Sequence, residues 1–256
     1  MDEKMIKVIE KFKQKTRKQC YSITLLDEEP LITESKIGGI PYISMGETYP
    51  IDSHGDFMPL FVQINFEQIN LKNFPKKGLL QLFVDKSLSY PSEYKVRYIE
   101  NINNYYNKNL SAIDLSDFIV KSSIKLQLDL DETYMPMGDF RFNSIFCDVF
   151  NEVFNSNIKH FYDIDKITGF KNSFDLLYNT LKIKNGLIGG YADFTQNDPR
   201  SYDKKLSNYT ECLIKIDSNL DDRIMIGDAG IAWLIISEDD LKNKRFEKAS
   251  FDWDCC

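Results

Sequence analysis

The chain has 256 residues, 43% of them hydrophobic and 28% charged, which excludes a disordered segment and lets a sizeable core form without disulfide or metal staples. Its formal charge of −7 and pI near 5.0 argue against the basic face of a nucleic-acid binder. The N-terminus MDEKMIKVIEKFKQK lacks the apolar run of a signal peptide, and no stretch approaches the ~20 apolar residues of a membrane span.

Met5, Ile6, Ile9 and Phe12 recur at helical spacing among charged residues, which predicts an amphipathic helix over 2–18. Its basic residues, Lys11, Lys13, Lys15, Arg17 and Lys18, read as a solvated face. A strand is predicted over 21–26, ended by Asp27-Glu28-Glu29-Pro30. Ile37-Gly38-Gly39-Ile40-Pro41 leads into the turn-rich SMGETYPIDSHGDFMP. A strand over 60–65, a short helical piece FEQINL, the turn Pro75-Lys76-Lys77-Gly78 and a strand over 79–84 follow.

Alternation predicts strands at 94–98 and, most clearly, at 124–130. Residues 101–117 are rich in Asn and Tyr and read as a loop. Helices are predicted over 143–155 and 172–182, the second opening on the capping pair Asn172-Ser173.

The earlier pattern then returns. Ile188-Gly189-Gly190 repeats Ile37-Gly38-Gly39, the segment 213–217 matches 61–65, and 230–236 matches 78–84. Gly39 lies 25 residues before Ile64 and Gly190 lies 26 before Ile216; both strands precede the next glycine by 14 residues. These anchors predict an α+β fold in a single domain, with repeat units at 36–90 and 187–242 from an internal duplication. Each unit would expose an apolar sheet face that only the other covers. The glycine pairs read as tight turns or bulges opening strands. As phosphate loops they would need a helix to follow, and neither IGGIPYI nor IGGYADF opens one.

Little in the chain points to a reaction. The two histidines, His54 and His160, lie in different segments, and HExxH, GxSxG and CxxC are absent. The cysteines are Cys20, Cys147, Cys212, Cys255 and Cys256, odd in number, which fits free thiols in a reducing cytoplasm. The ending Phe251-Asp252-Trp253-Asp254-Cys255-Cys256 reads as a terminal strand docking its aromatic rings, with a soft-metal site as the alternative. Asp228, between Gly227 and Gly230, and the segment Gln196-Asn197-Asp198-Pro199-Arg200 read first as turn chemistry and second as recognition residues.

The motifs IGGIPYI, PLFVQINFEQI, FPKKGLLQLFV, GGYADFTQNDPR, IGDAGIAWLIISEDDLKN and FDWDCC, in this order, resemble the YwqG-like family of bacterial proteins, which carry a domain of unknown function. The resemblance runs from about Glu34 to Cys256 and is weakest over 100–135. It implies an α+β fold with two related β-rich halves, no established activity and no assigned catalytic residues. Some relatives are encoded near bacterial toxin systems, so it also implies an immunity-like or interaction role.

Two functional expectations follow. The first is a non-enzymatic binding protein with a protein partner, needing no cofactor, nucleic acid, membrane or metal. The second is a small-molecule-binding protein or enzyme with a site in a cleft between the halves, drawn from Asp228, Gln196, Arg200 and Gln63.

Overall fold

The computed structural model describes residues 3–89, 92–102, 118–169 and 172–255. The loop expected over 101–117 falls almost wholly outside these residues, as does Cys256. The elements in chain order are α1 (Glu3–Thr16), β1 (Lys18–Leu26), β2 (Lys36–Ile37), β3 (Leu60–Asn65), β4 (Leu79–Val84), β5 (Tyr94–Ile99) and β6 (Ile124–Thr133). They are followed by α2 (Phe142–Phe154), α3 (Ile164–Thr168), α4 (Ser173–Leu181), β7 (Gly186–Gly189), β8 (Glu211–Asp217), β9 (Ile231–Ile236), α5 (Glu238–Lys242) and β10 (Ser250–Asp254). Mixed helix and strand content is thus the observed class. At α4, Asn172 makes no side-chain cap bond; its carbonyl accepts the Leu176 N–H instead.

All ten strands lie in one antiparallel sheet ordered β10-β9-β8-β7-β1-β6-β2-β3-β4-β5. The long β1–β6 pair forms its centre, with register from Lys18↔Thr133 to Leu26↔Lys125. The sheet curls until its two ends meet. Phe61 packs on Phe251 at 5.9 Å between ring centroids, and Phe66 stacks on Phe246 at 5.6 Å. The Trp253 Nε1–H donates to Ser92 Oγ at 3.0 Å, so the terminal strand β10 is tied to the segment entering β5. The concave face holds the main core, to which Ile37, Ile64, Leu82, Ile188, Ile216, Leu234 and Phe251 contribute. Burying each such side chain contributes about 1.5–3 kcal/mol.

β3, β4 and β9 are buried at every residue, and β8 at every residue but Glu211. Their outer faces are covered by the segments that follow the glycine pairs. Ile43, Met58, Leu60 and Phe83 cluster under the first cover; Ala192, Phe194, Cys212 and Trp233 cluster under the second. A second layer, α1 with α2 and the following helices, packs around Phe12, Phe142, Phe146 and Phe150 and reaches the sheet through Tyr191 and Met135.

The local geometry of the two sides agrees in detail. All four paired glycines have positive φ, from 67° to 78°. β3 and β8 each bulge near their start, between Leu60 and Val62 and between Cys212 and Ile214. Each ends on a residue, Asn65 or Asp217, whose side chain caps a single 3-10 turn. The N–H after each cap donates to the glycine carbonyl opening the next strand, Phe66 to Gly78 at 2.9 Å and Ser218 to Gly230 at 3.0 Å. One expectation is corrected here: the glycine pairs close strands β2 and β7 rather than opening strands, because consecutive positive φ angles break the extended backbone.

A Cβ at Gly39 would meet the Ser123 Cα at 2.9 Å, whereas at Gly189 its nearest neighbour is the flexible end of Leu71. Gly189→Ala is therefore expected to cost about 1–2 kcal/mol from backbone strain. Gly39→Ala is expected to cost roughly 1–3 kcal/mol more, from overpacking against main chain. Urea unfolding of the two variants measures the difference, and equal losses would contradict the reading.

Candidate functional site

Beneath each cover, one polar side chain rises from the same register position, Gln63 on β3 opposite Lys36 and Lys215 on β8 opposite Leu187. Gln63 is fully buried and fully used. Its Oε1 accepts the Tyr42 N–H at 3.1 Å and the Gln81 Nε2–H at 2.8 Å, and its Nε2 donates to the Ile32 and Glu34 carbonyls at 2.9 Å. Lys215 is equally buried. Its Nζ donates to the Lys184 carbonyl at 3.0 Å and lies 3.6 Å from Asp217 Oδ2. Burial pulls the pKa of this ammonium down, against the opposing pull of Asp193 and Asp217. Asp193 holds the place that Tyr42 holds after the first glycine pair, four residues beyond the first glycine. Burial pushes its carboxyl up, outweighing Lys215 and the Phe194 N–H.

Asp193 lines a cleft of about 420 Å³ between the second cover and the helical layer. Pro136, Met137 and Gly138 also line it, Gly138 beside the Asp193 carboxylate, and much of the wall is aromatic. The rings of His160, Tyr162, Phe174 and Tyr178 follow one another at centroid distances of 4.7, 6.3 and 6.4 Å, with planes within 13° of parallel. Tyr162, Phe174 and Tyr178 are 63%, 48% and 51% exposed. Rings of this size normally bury their area, so three adjacent exposed ones mark a surface with a use.

The cleft's flanks are held by a buried ion network. Arg200 donates from Nε and Nη2 to Asp198 at 2.8 and 2.7 Å, and from Nη2 to Asp139 Oδ2 at 3.2 Å. Arg141 grips Asp139 through Nε and Nη2 at 2.8 and 2.7 Å. The Phe140 N–H donates to Asp198 at 2.9 Å. The segment carrying Met137 and Gly138 is thus pinned to the segment that follows Asp193.

The four residues picked from sequence fall in separate settings. Gln63 pins the first cover, Arg200 belongs to the ion network, and Asp228 is exposed on the turn before β9. Gln196 alone of the four lines the cleft; its Nε2 donates to the Cys255 carbonyl at 2.8 Å. Sequence reasoning missed Asp193 and the rings. One signal was available: α4 carries two apolar stripes, Leu177/Leu181 and Phe174/Tyr178, and only the first is buried. Among the described residues no group of three His, Cys, Asp or Glu side chains is placed to share a metal ion, and no helix is long and apolar enough to cross a membrane.

Residues 35–255 match the family described as "Domain of unknown function (DUF1963)". The chain belongs to this family. No curated protein matches it. The DUF1963 match begins just before β2 and takes in both glycine pairs, both covers and every residue of the cleft, while α1 and β1 precede it.

The Asp139 carboxyl in this DUF1963 chain is subject to burial, which raises its pKa, and to Arg141 and Arg200, which together outweigh burial and hold it below the ordinary range. A carboxylate with a depressed folded-state pKa contributes stability that is complete above its unfolded pKa and lost as the pH falls through the folded one. Asp139→Asn is therefore expected to lose about 3 kcal/mol at pH 7, leaving guanidinium charge uncompensated. Acidification through the carboxylate range narrows the gap to the wild type, as urea melts across pH would record.

Proposed function

We propose that the chain is a non-enzymatic binding protein of the YwqG-like type, working in the bacterial cytoplasm, and that its binding surface is the aromatic cleft. The carrying observation is the row of half-exposed rings, Tyr162, Phe174 and Tyr178, beside a cleft whose far wall holds a carboxylate. Exposed aromatic side chains with few rotatable bonds are the usual anchors of protein interfaces. The flanks are fixed by the Arg200–Asp139 network, so binding orders little that is not already ordered. A protein partner fits this surface, and an immunity-like role is one version. The agreement in φ angles, bulges and capped turns supports an origin by internal duplication, with units 36–90 and 187–242 in one domain.

A photoreactive benzoylphenylalanine at position 178, introduced in cells producing the chain at native levels, tests this. One stoichiometric adduct is expected at 178, lost on adding Phe174→Ala, with none from the exposed Gln14 on α1. Absence of any adduct, or equal adducts at 14 and 178, would count against it.

A second reading has its own observation. A cavity of about 330 Å³ lies between the two sides of the sheet, lined by Lys18, Leu71, Asn73, Gly190, Glu211 and Glu238 among others. None of Asp228, Gln196, Arg200 and Gln63 lines it. A small ligand seated there at a hundredfold excess over its Kd stabilises the fold by about 2.7 kcal/mol. Lys72→Trp, at an exposed lining position, is expected to abolish that thermal shift for any hit from a metabolite screen.

A further inference from the structure

The ionisable groups beside the cleft are uneven in number. Asp193, Lys215 and Asp217 bring two carboxylates to one ammonium. The ammonium donates to the Lys184 carbonyl at 3.0 Å and lies 3.6 Å from Asp217, so it reaches Asp193 only through its field and not by direct contact. Asp193 makes no ion pair within 4 Å among the described residues; the Phe194 N–H and the more distant Lys215 are what favour its charge. Asp254 adds further negative charge nearby.

Matching positions sharpen the point. After the first glycine pair the corresponding residues are Tyr42 and Gln63; Gln63 uses every hydrogen bond of its amide, and the buried ammonium opposite it, Lys36, donates to the Ile32 carbonyl at 3.3 Å. Each cover therefore buries one ammonium, Lys36 or Lys215, but at the position of Asp193 the first cover carries Tyr42, so the architecture itself does not require a carboxylate there. The charge is also left accessible. Beside Asp193 stands Gly138, where a Cβ would lie 3.6 Å from Asp193 Oδ1, so a larger side chain there would crowd the carboxylate. The same cleft is walled by aromatic rings, whose negative faces attract cations. Lys182 also reaches the cleft, but it is exposed and its charge is screened by solvent.

We infer that the cleft takes a cationic side chain of the partner, a lysine ammonium or an arginine guanidinium, with Asp193 as counter-ion and Tyr162, Phe174 and Tyr178 as its walls. This rests on the cleft being the binding surface and adds the chemical class of what enters it.

The test titrates the full ¹⁵N-labelled chain with Nα-acetyl-lysine methylamide, Nα-acetyl-arginine methylamide and the uncharged Nα-acetyl-norleucine methylamide. The two cationic probes are expected to shift the amide signals of Gly138, Tyr162 and Asp193, and the norleucine probe to bind at least about tenfold more weakly. Asp193→Asn is expected to bring the cations down to the norleucine level. Tyr178→Leu, at a half-exposed position, keeps apolar area but removes a π face. It is expected to weaken the cations by roughly threefold and leave norleucine unchanged, which keeps the test decisive if Asp193→Asn fails to fold. Equal binding of the three probes, or cation binding untouched by both substitutions, overturns the inference. An adduct at position 178 without cation binding overturns the cation assignment alone. Cation binding without an adduct upholds the assignment and overturns the protein partner.

Discussion

Four strands of this sheet have almost no face left for solvent, and the rest of the molecule follows from that constraint. The curl of the sheet covers the concave side of β3, β4, β8 and β9, where rings from opposite ends meet. The convex side then needs its own lid, and the chain supplies one after each of the short strands β2 and β7. A lid laid over a sheet must leave it abruptly, which is what two consecutive residues at positive φ accomplish. It must also satisfy its own backbone polar groups without water, because each buried orphan costs about 1–3 kcal/mol. Side chains rising from the strands meet that need, as Gln63 and Gln81 do beneath Tyr42.

The two lids solve the same problem with different chemistry. The first uses the amides of Gln63 and Gln81 beside one buried ammonium, Lys36, whose pKa burial pulls down to about 8 against Glu29 and Glu34. The second uses Lys215 and two carboxylates, a choice that carries several kcal/mol of desolvation per ion and rests on mutual attraction to offset it. Replacing a buried ion pair by well-packed apolar groups is often harmless to stability, and at the position of Asp193 the first lid carries Tyr42. The carboxyl at Asp193 has no counterpart in the first lid, and its access to the cleft gives it a use outside folding.

Much of this architecture is legible in the residues. The helix at the N-terminus and the strand at 124–130 follow from periodicity, because one face of each is apolar and the other is not, while the strands at 60–65 and 79–84 read as apolar runs bounded by turns. The recurrence of the glycine pair and the 14-residue step to the next glycine marks both lids. The site is less legible, because it depends on where distant segments meet. Asp193 is one carboxylate among 39 acidic residues, and nothing local distinguishes it from Asp228 on an exposed turn. Arg200 reads as a surface residue of a polar turn, yet Asp139, 61 residues earlier, draws it into the interior. The placement of β1 and β6 between the two sides also escapes local reading, since their pairing is set by long-range register and not by pattern.

The rings of the cleft bear on whether the cavity is an accident of packing. A helix lying on a sheet can bury one stripe, and α4 uses Leu177 and Leu181 for this. Phe174 and Tyr178 then add nothing to that core, and leaving them in water forgoes the stabilisation their burial would contribute. An accidental gap between layers would be free to relax toward closure around such rings. This one is held open, because Asp139 and Arg141 pin the segment bearing Gly138 while Asp198 and Arg200 pin the segment beyond Asp193. The ion network has low exposure on both sides, so solvent does little to weaken it. A cavity whose apolar wall stays exposed while charged clamps fix its flanks is pre-organised, and pre-organisation is useful to a protein only when something is to be bound.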